Sequence, residues 1–418
     1  MWRFLISVII CTLFFPPTMI LADNIVPKAA FVRDGNLWIF INNAEKQITF
    51  EGKVFDTPQW SPDGQSVIYQ RLVPSEYVDG EDQSEVWIYH IQTEEKKKLF
   101  HDGYSPRWAP GKNILSFNSK GILNISDMEK FYNIATGVSG YTWLPDGSGF
   151  LLSSSGVLRP DGWTSSILYT KKVKDNYSDI ILFGGVDHFF TLPREIGVDD
   201  NNKIIAVYSS DFTFSPSNNW ISFVVSPTAS WSMDSNMLCV ISSDGKDFEV
   251  LDEMILDVGK PKWAPSNDTI AFIAGGGRIV FGFKNKDLKV REMPVSGTYT
   301  PEDYADLDFD WISNDELVTS RIKEKEWSND FSEHPLPSLY FINLPKNKQI
   351  QVSHPPKGFG DFAPQYVSTM KQLVWLRGTS ITDHNRTLWK ANPDGTGAEE
   401  WIKNVELITF FKGYGKED

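Results

Sequence analysis

Blocks of three to five apolar residues, some alternating with polar ones, recur along the chain, each bounded by a turn signal. The clearest unit is Thr57-Pro-Gln-Trp-Ser-Pro-Asp-Gly-Gln-Ser-Val-Ile-Tyr69. It reads as a short strand carrying Trp60, a tight turn over Pro62–Gly64 and a second strand. Asp-Gly supplies the positive φ angles that a two-strand hairpin turn needs. The unit returns as Ser105-Pro-Arg-Trp108-Ala-Pro-Gly111 with Ile114–Phe117, and as Tyr141-Thr-Trp143-Leu-Pro-Asp-Gly147 with Phe150–Leu152. It returns again as Phe214-Ser-Pro216 with Trp220–Phe223, and as Pro261-Lys-Trp263-Ala-Pro265 with Ile270–Phe272. Weaker copies are Asp310-Trp311-Ile-Ser-Asn314 with Leu317-Val318, and Pro364-Gln-Tyr366 with Leu373–Trp375.

A second column of β-rich runs follows: Asn36–Phe40, Glu85–Tyr89, Ser166–Tyr169, Ser338–Phe341 and Thr387–Lys390, with Asn236–Val240 and Arg278–Phe281 as poorer copies. These suit a third strand stacked between neighbours. An Asp-Gly hairpin and a short fourth strand come next, best seen at Ser243–Val250 and Asn392–Trp401. The aromatic anchors at 60, 108, 143, 214, 263, 311 and 366 are spaced by 48, 35, 71, 49, 48 and 55 residues. Four short strands per unit of roughly 40–50 residues predict an all-β propeller. Three strands before the first anchor (Ala29–Arg33, Asn36–Ile41, Gln47–Phe50) and one at the end (Glu406–Phe411) bring the expected number of four-stranded blades to eight. Seven is the alternative, because the interval from Trp143 to Phe214 is long. Pairing of the C-terminal strand beside Ala29–Arg33 would close the ring and hide its edges.

Trp-Ser-Pro-Asp-Gly, an apolar strand, a Leu-Trp/Tyr strand and an Asp-Gly hairpin together resemble the TolB-type WD-like propeller repeat. The resemblance covers residues 27–412, with the Trp-Ser/Ala-Pro core strong in about half the copies. It departs from that family in lacking an evident separate N-terminal α/β domain and in having more repeats than six blades. It implies the fold and an exported, interaction-type role, and does not carry over the family's partners.

The first 22 residues read as a signal peptide: Met1-Trp2-Arg3, an apolar run from Phe4, a Pro16-Pro17 break and Ile20-Leu-Ala22 as the cleavage end. Residues 23–418 then form one propeller domain. The same segment, 19 residues from Phe4 to Ala22, is near spanning length and is the alternative, an uncleaved anchor. The expected location is accordingly periplasmic, cell-envelope or extracellular. With Cys11 in this segment, only Cys239 remains, so no intrachain disulfide is expected. The formal charge of −14 and the lack of a basic stripe exclude nucleic acid and anionic lipid as expected partners.

Chemistry is sparse. No Gly-X-Ser-X-Gly occurs, so no accompanying serine-hydrolase elbow is present. The histidines at 90, 101, 188, 334, 354 and 384 never fall at metal-ligand spacing. Cys239 lies in the third-strand column, as a buried inert thiol would. Glu302-Asp303…Asp306…Asp308…Asp310 could line a cation site, but a solvated acidic loop explains it better. No catalytic residue, metal or cofactor is assigned.

Loop lengths say more. In an antiparallel blade the first and third turns lie on one face of the disc; the second turn and the link to the next blade lie on the other. Most long segments are second turns or links: Leu72–Ser84, Leu158–Ser165, Val186–Ile204, Ser226–Ser235, Pro294–Asp306, Lys323–Pro337 and Gly378–Arg386. Long loops on a rigid scaffold carry binding functions. The candidate ligand-contacting residues there are Tyr77, Trp163, Trp231, Trp327, Asp383 and His384. The expected function is a protein- or peptide-interaction scaffold, with a monomer as the expected state. The alternative is a glycan binder or a hydrolase- or lyase-type enzyme using the central funnel.

Overall fold

The computed structural model describes residues 27–412, except 77, 174–176, 200–201, 229–235, 255–258, 277–282 and 294. Eight four-stranded antiparallel sheets form a ring, the expected eight-bladed propeller. Their innermost strands, in ring order, are Leu407–Phe410, Val54–Trp60, Tyr104–Ala109, Gly140–Trp143, Tyr208–Phe214, Lys262–Trp263, Tyr304–Ser313 and Gly360–Val367. Blades are numbered 1 to 8 in this order. Blade 1 is built from both chain ends: Leu407–Phe410 pairs antiparallel with Ala29–Arg33, Ala29 facing Phe410 and Val32 facing Leu407.

Hydrophobic clusters sit between blades, because the middle strands of each sheet are apolar on both faces. Ala30, Val32, Leu37 and Ile39 of blade 1 pack on Val54, Trp60, Val67 and Tyr69 of blade 2. Val318 and Leu339 of blade 7 likewise meet Leu373 and Trp375 of blade 8. Cys239 is fully buried in such a cluster.

The repeated sequence unit has a physical account at both of its parts. In the turn, Ser61 Oγ donates to Asp63 Oδ1 at 2.6 Å, the Gln65 N–H donates to the same oxygen, and the Ser66 N–H returns to Ser61 Oγ at 2.9 Å. Burial disfavours the charge on Asp63, but these bonds and one from Asn113 in blade 3 outweigh it and hold the carboxyl below its ordinary pKa. Gly64 has φ +64, and a Cβ there would lie 2.5 Å from the Phe411 ring, so a side chain would be strained and would have to displace that ring. At four of the blades the tryptophan ties neighbouring innermost strands, its indole N–H reaching a carbonyl of the preceding blade. Trp108 bonds Gln59 at 3.5 Å, Trp143 bonds Arg107 at 3.4 Å, Trp263 bonds Thr213 at 3.3 Å and Trp311 bonds Lys262 at 3.0 Å.

Four boundaries differ from the sequence expectation. The outermost strand of blade 1 is Ala44–Gln47, ahead of the expected Gln47–Phe50. Val186–Thr191, expected inside a link, is the outermost strand of blade 4, and Val295–Thr298 is that of blade 6. The third strand of blade 6 is Asp287–Glu292, while 278–281 lie outside the described residues. The long interval after Trp143 is one blade with two small hairpins added: Leu158–Arg159 with Gly162–Trp163, and Glu195–Gly197 with Lys203–Ile205.

Candidate functional site: the loop face and channel mouth

Five innermost strands break register with their neighbour at the same height, between Phe55 and Gln59, Tyr104 and Arg107, Ser210 and Thr213, Asp306 and Asp308, and Phe362 and Gln365. Such bulges bend a strand and re-aim its side chains. Asp56 (φ 63), Ser105 (φ 51), Asp211 (φ 52) and Ala363 (φ 47) sit in left-handed conformation there. Aspartate tolerates that region because its carboxylate bonds locally. Asp56 does so, accepting from the Thr57 N–H at 2.7 Å.

The acidic stretch expected as a solvated loop is instead the innermost strand of blade 7, and its three aspartates do different things. Asp306 is fully buried and takes a bidentate bond from Arg321, Nε to Oδ1 at 2.8 Å and Nη2 to Oδ2 at 2.9 Å. Thr319 and Thr300 hydroxyls satisfy its remaining lone pairs. Asp308 and Asp310 are part-exposed and converge on Lys262 of the neighbouring innermost strand, at 3.9 and 3.4 Å, while Lys262 also donates to the Phe309 carbonyl. Desolvation raises the pKa of Asp308 against the opposing pull of Lys262. A carboxyl so placed can exchange a proton or meet a cationic group. Asp310 also accepts the Tyr366 N–H at 2.9 Å, tying blades 7 and 8. Among the described residues, no cluster of three His, Cys, Asp or Glu could hold a metal ion.

Around the mouth, the second turns and links carry the added structure. The two small hairpins of blade 4 meet where Arg194 donates to the Asp161 carbonyl at 3.1 Å. Trp163, half-buried, sits in the first of them beside Leu158, which is 62% exposed. Trp327 packs inward: its ring stacks on Phe283 at 5.6 Å and lies 4.3 Å from His334. His334 anchors that loop, its Nε2 bonding the Ser328 carbonyl at 2.6 Å. Asp383 shapes a turn, accepting from the Thr379 N–H and hydroxyl and from the Asn385 N–H. Burial opposes its ionisation, but these bonds keep its pKa below the ordinary value. The neighbouring His384 is exposed. Trp327 and Ile381 pack on the same small cluster of Phe283, Ala305, Leu307 and Ile322, so the loops of blades 7 and 8 come together there. Trp163 stands apart on blade 4. Tyr77 and Trp231 lie outside the described residues.

Sequence reasoning missed Lys262 and the separate roles of Asp306, Asp308 and Asp310. The period-two spacing of those acids was the available signal for a strand, because residues two apart share a face; the bulge between Asp306 and Asp308, which separates their roles, had no such signal.

Comparison with known structures places the fold. A Mycobacterium tuberculosis puromycin-hydrolyzing peptidase superposes with a TM-score of 0.50 at 12% identity, over 84% of this chain and 53% of that one. Porphyromonas gingivalis dipeptidyl peptidase 4 gives 0.56 at 8% identity, over 91% and 58%. The dihydro-heme d1 dehydrogenase NirN gives 0.55 at 13% identity, over 95% and 78%. The chain thus spans about half the length of the puromycin-hydrolyzing peptidase. Neither a protein-family model nor a curated protein sequence matches it. What these likenesses show is a β-propeller of the kind also found within peptidases.

Proposed function

We propose that this protein is an exported, TolB-like binding propeller that engages an apolar, positively charged protein or peptide segment on its loop face, over the channel mouth. The carrying observation is the placement of exposed apolar side chains among acids on that face. Phe50 is 71% exposed, Leu158 62%, Val157 59% and Phe331 54%, all in links or second turns. Glu76, Asp79, Glu81, Glu326, Asp330 and Glu333 are exposed in the same set of loops. Apolar patches rimmed by charge mark interaction sites, and the acid rim selects a basic partner. The likeness to propellers within peptidases is compatible with handling a peptide.

The second reading, a glycan-binding or hydrolase- or lyase-type enzyme using the funnel, draws on Asp308 beside Lys262. One experiment separates the two. Partner capture from the native envelope fraction is compared for the exported chain and for the Leu158→Glu, Lys246→Glu and Asp308→Asn variants. Leu158→Glu should weaken capture by about tenfold or more, as loss of an interface anchor does. Lys246→Glu, in a turn of the opposite face, should leave it unchanged. Capture lost in Asp308→Asn alone would move the function into the channel.

A further inference from the structure

The face opposite the loops is built from short polar turns, with one exception. The third turn of blade 4, residues 173–185, is long. It contains Ile181 and Phe183, which are 71% and 84% exposed, and Val186 at its end is 40% exposed. Phe183 is the most exposed large hydrophobic residue among those described.

The turn is held in this position from beneath. Lys171 is 2% exposed, and its ammonium donates to the Ile181 carbonyl at 2.8 Å and the Gly184 carbonyl at 2.9 Å. Burial lowers its pKa, so a desolvated charge is retained to fix two carbonyls of a surface turn. On the inner side, Tyr177 and Ile180 pack against the core with Tyr132. The apolar tip is therefore mounted outward on a buried support.

The second observation concerns where the chain enters the domain. Ala29–Arg33 ends at the Asp34-Gly35 second turn, on the loop face, so its Ala29 end lies on the short-turn face. Lys28 confirms the position, reaching the Gly64 carbonyl of the neighbouring Asp-Gly turn at 3.4 Å. Only residues 23–28 separate Ala29 from the apolar run ending at Ala22. Six residues span at most about 20 Å. Where the apolar run is retained and meets a membrane, its reach limits it to the same face that carries Phe183, at a blade well around the ring from blade 4.

We infer that the short-turn face lies against a lipid bilayer, with Ile181 and Phe183 inserted into the interface, so that the loop face is turned away from the membrane. When residues 1–22 are retained, the face is held at two points, the tether at blade 1 and the turn at blade 4. When they are removed, the turn provides the contact. The Asp-Gly turns of this face carry Asp63, Asp146, Asp244 and Asp394, which repel anionic lipid, so the surface recognised is zwitterionic.

The test uses the full chain as exported, with Cys11→Ser and a single Phe183→Cys carrying an environment-sensitive fluorophore; Cys239 is fully buried and does not compete. A Leu158→Cys chain, labelled the same way, reports the opposite face. With phosphatidylcholine vesicles containing brominated acyl chains, the label at 183 should be quenched several-fold and that at 158 should not. Phosphatidylserine vesicles should quench the label at 183 less. Replacing both Ile181 and Phe183 by Ser in a chain lacking 1–22 should weaken vesicle association about tenfold or more. An unquenched label at 183, quenching at 158, or stronger binding to phosphatidylserine overturns the inference. So does a chain that self-associates through this turn, shown by sedimentation of a dimer that the double Ser variant dissolves, with vesicle binding unmoved.

Discussion

The innermost strands serve different ends at their two extremities. At the short-turn end parts of one unit recur around the ring: an indole N–H on the preceding blade's carbonyl at Trp108, Trp143, Trp263 and Trp311, and a turn closed by its own serine and aspartate at Ser61–Ser66. At the loop end a shared arginine is used in different ways from blade to blade. Arg321 and Arg377, at the tops of second strands in blades 7 and 8, pair with Asp306 and Asp361 directly across on the innermost strand. The equivalent Arg71 of blade 2 faces Val54 there and reaches Glu51 at 3.3 Å instead. In blade 1 Arg33 bonds the carbonyls of Lys403 and Asn404. All four guanidinium groups lie near a third-strand aromatic, Tyr340, Trp389, Trp87 and Trp38 respectively. The repeated end specifies the ring; the varied end is free to be shaped by what it meets.

The largest effect should come from breaking the ring where the chain ends meet. Truncation after Lys403 removes Leu407–Phe410, the innermost strand of blade 1, and with it the contacts of Ile408 and Phe410 in the blade 1–blade 8 cluster. It leaves the inner edge of Ala29–Arg33 unpaired, which invites intermolecular pairing. The truncated chain should aggregate or lose its cooperative thermal transition. A monomer that melts like the full chain would show that the ring does not depend on this closure.

Next in size is the loop end. Arg377 gives Asp361 two bonds, at 2.6 and 2.9 Å, and its guanidinium lies 4.1 Å from the Trp389 ring; Asp361 is fully buried. Arg377→Met leaves that carboxylate uncompensated and should cost about 3–5 kcal/mol in urea unfolding. Adding Asp361→Asn should restore part of it, because the stranded charge is gone. Arg71→Met, which strands no buried aspartate, should cost about 1 kcal/mol or less. Equal losses at 71 and 377 would mean the loop ends are not energetically distinct.

What was legible in the sequence follows the same division. Trp108, Trp143, Trp263 and the Asp-Gly turns are fixed by indole hydrogen bonding and backbone geometry, so they repeat and announce the blades. The innermost strand of blade 7 was legible and overlooked: Ala305, Leu307, Phe309 and Trp311 alternate with Asp306, Asp308 and Asp310, the period-two pattern of a strand. Read as a run of acids alone, the same stretch resembled a loop. Blade 4 was blurred by its two extra hairpins, which lengthen the interval without adding a blade. The aromatic loop residues could be found by composition but not placed: Trp327 turned inward because Phe283 and His334 offered it a surface, and nothing local to Trp327 encodes those neighbours.

The smallest predicted effect tests the repeated end itself. Trp311 donates to the Lys262 carbonyl at 3.0 Å, whereas the Trp60 indole nitrogen is buried with no hydrogen-bond partner among the described residues. Its position in the ring explains the difference: Trp60 follows the closing blade, where the Phe411 ring lies 5.8 Å away. Tryptophan-to-phenylalanine substitution keeps an aromatic core group at both sites but removes a hydrogen bond only at 311, where it also strands a carbonyl. At 60 it deletes a donor whose desolvation is already uncompensated. Trp311→Phe should therefore be less stable than Trp60→Phe by about 1 kcal/mol, read as a lower urea midpoint at unchanged slope. If Trp60→Phe costs as much as Trp311→Phe, indole volume alone holds the innermost strands together and the bond from blade to blade contributes nothing.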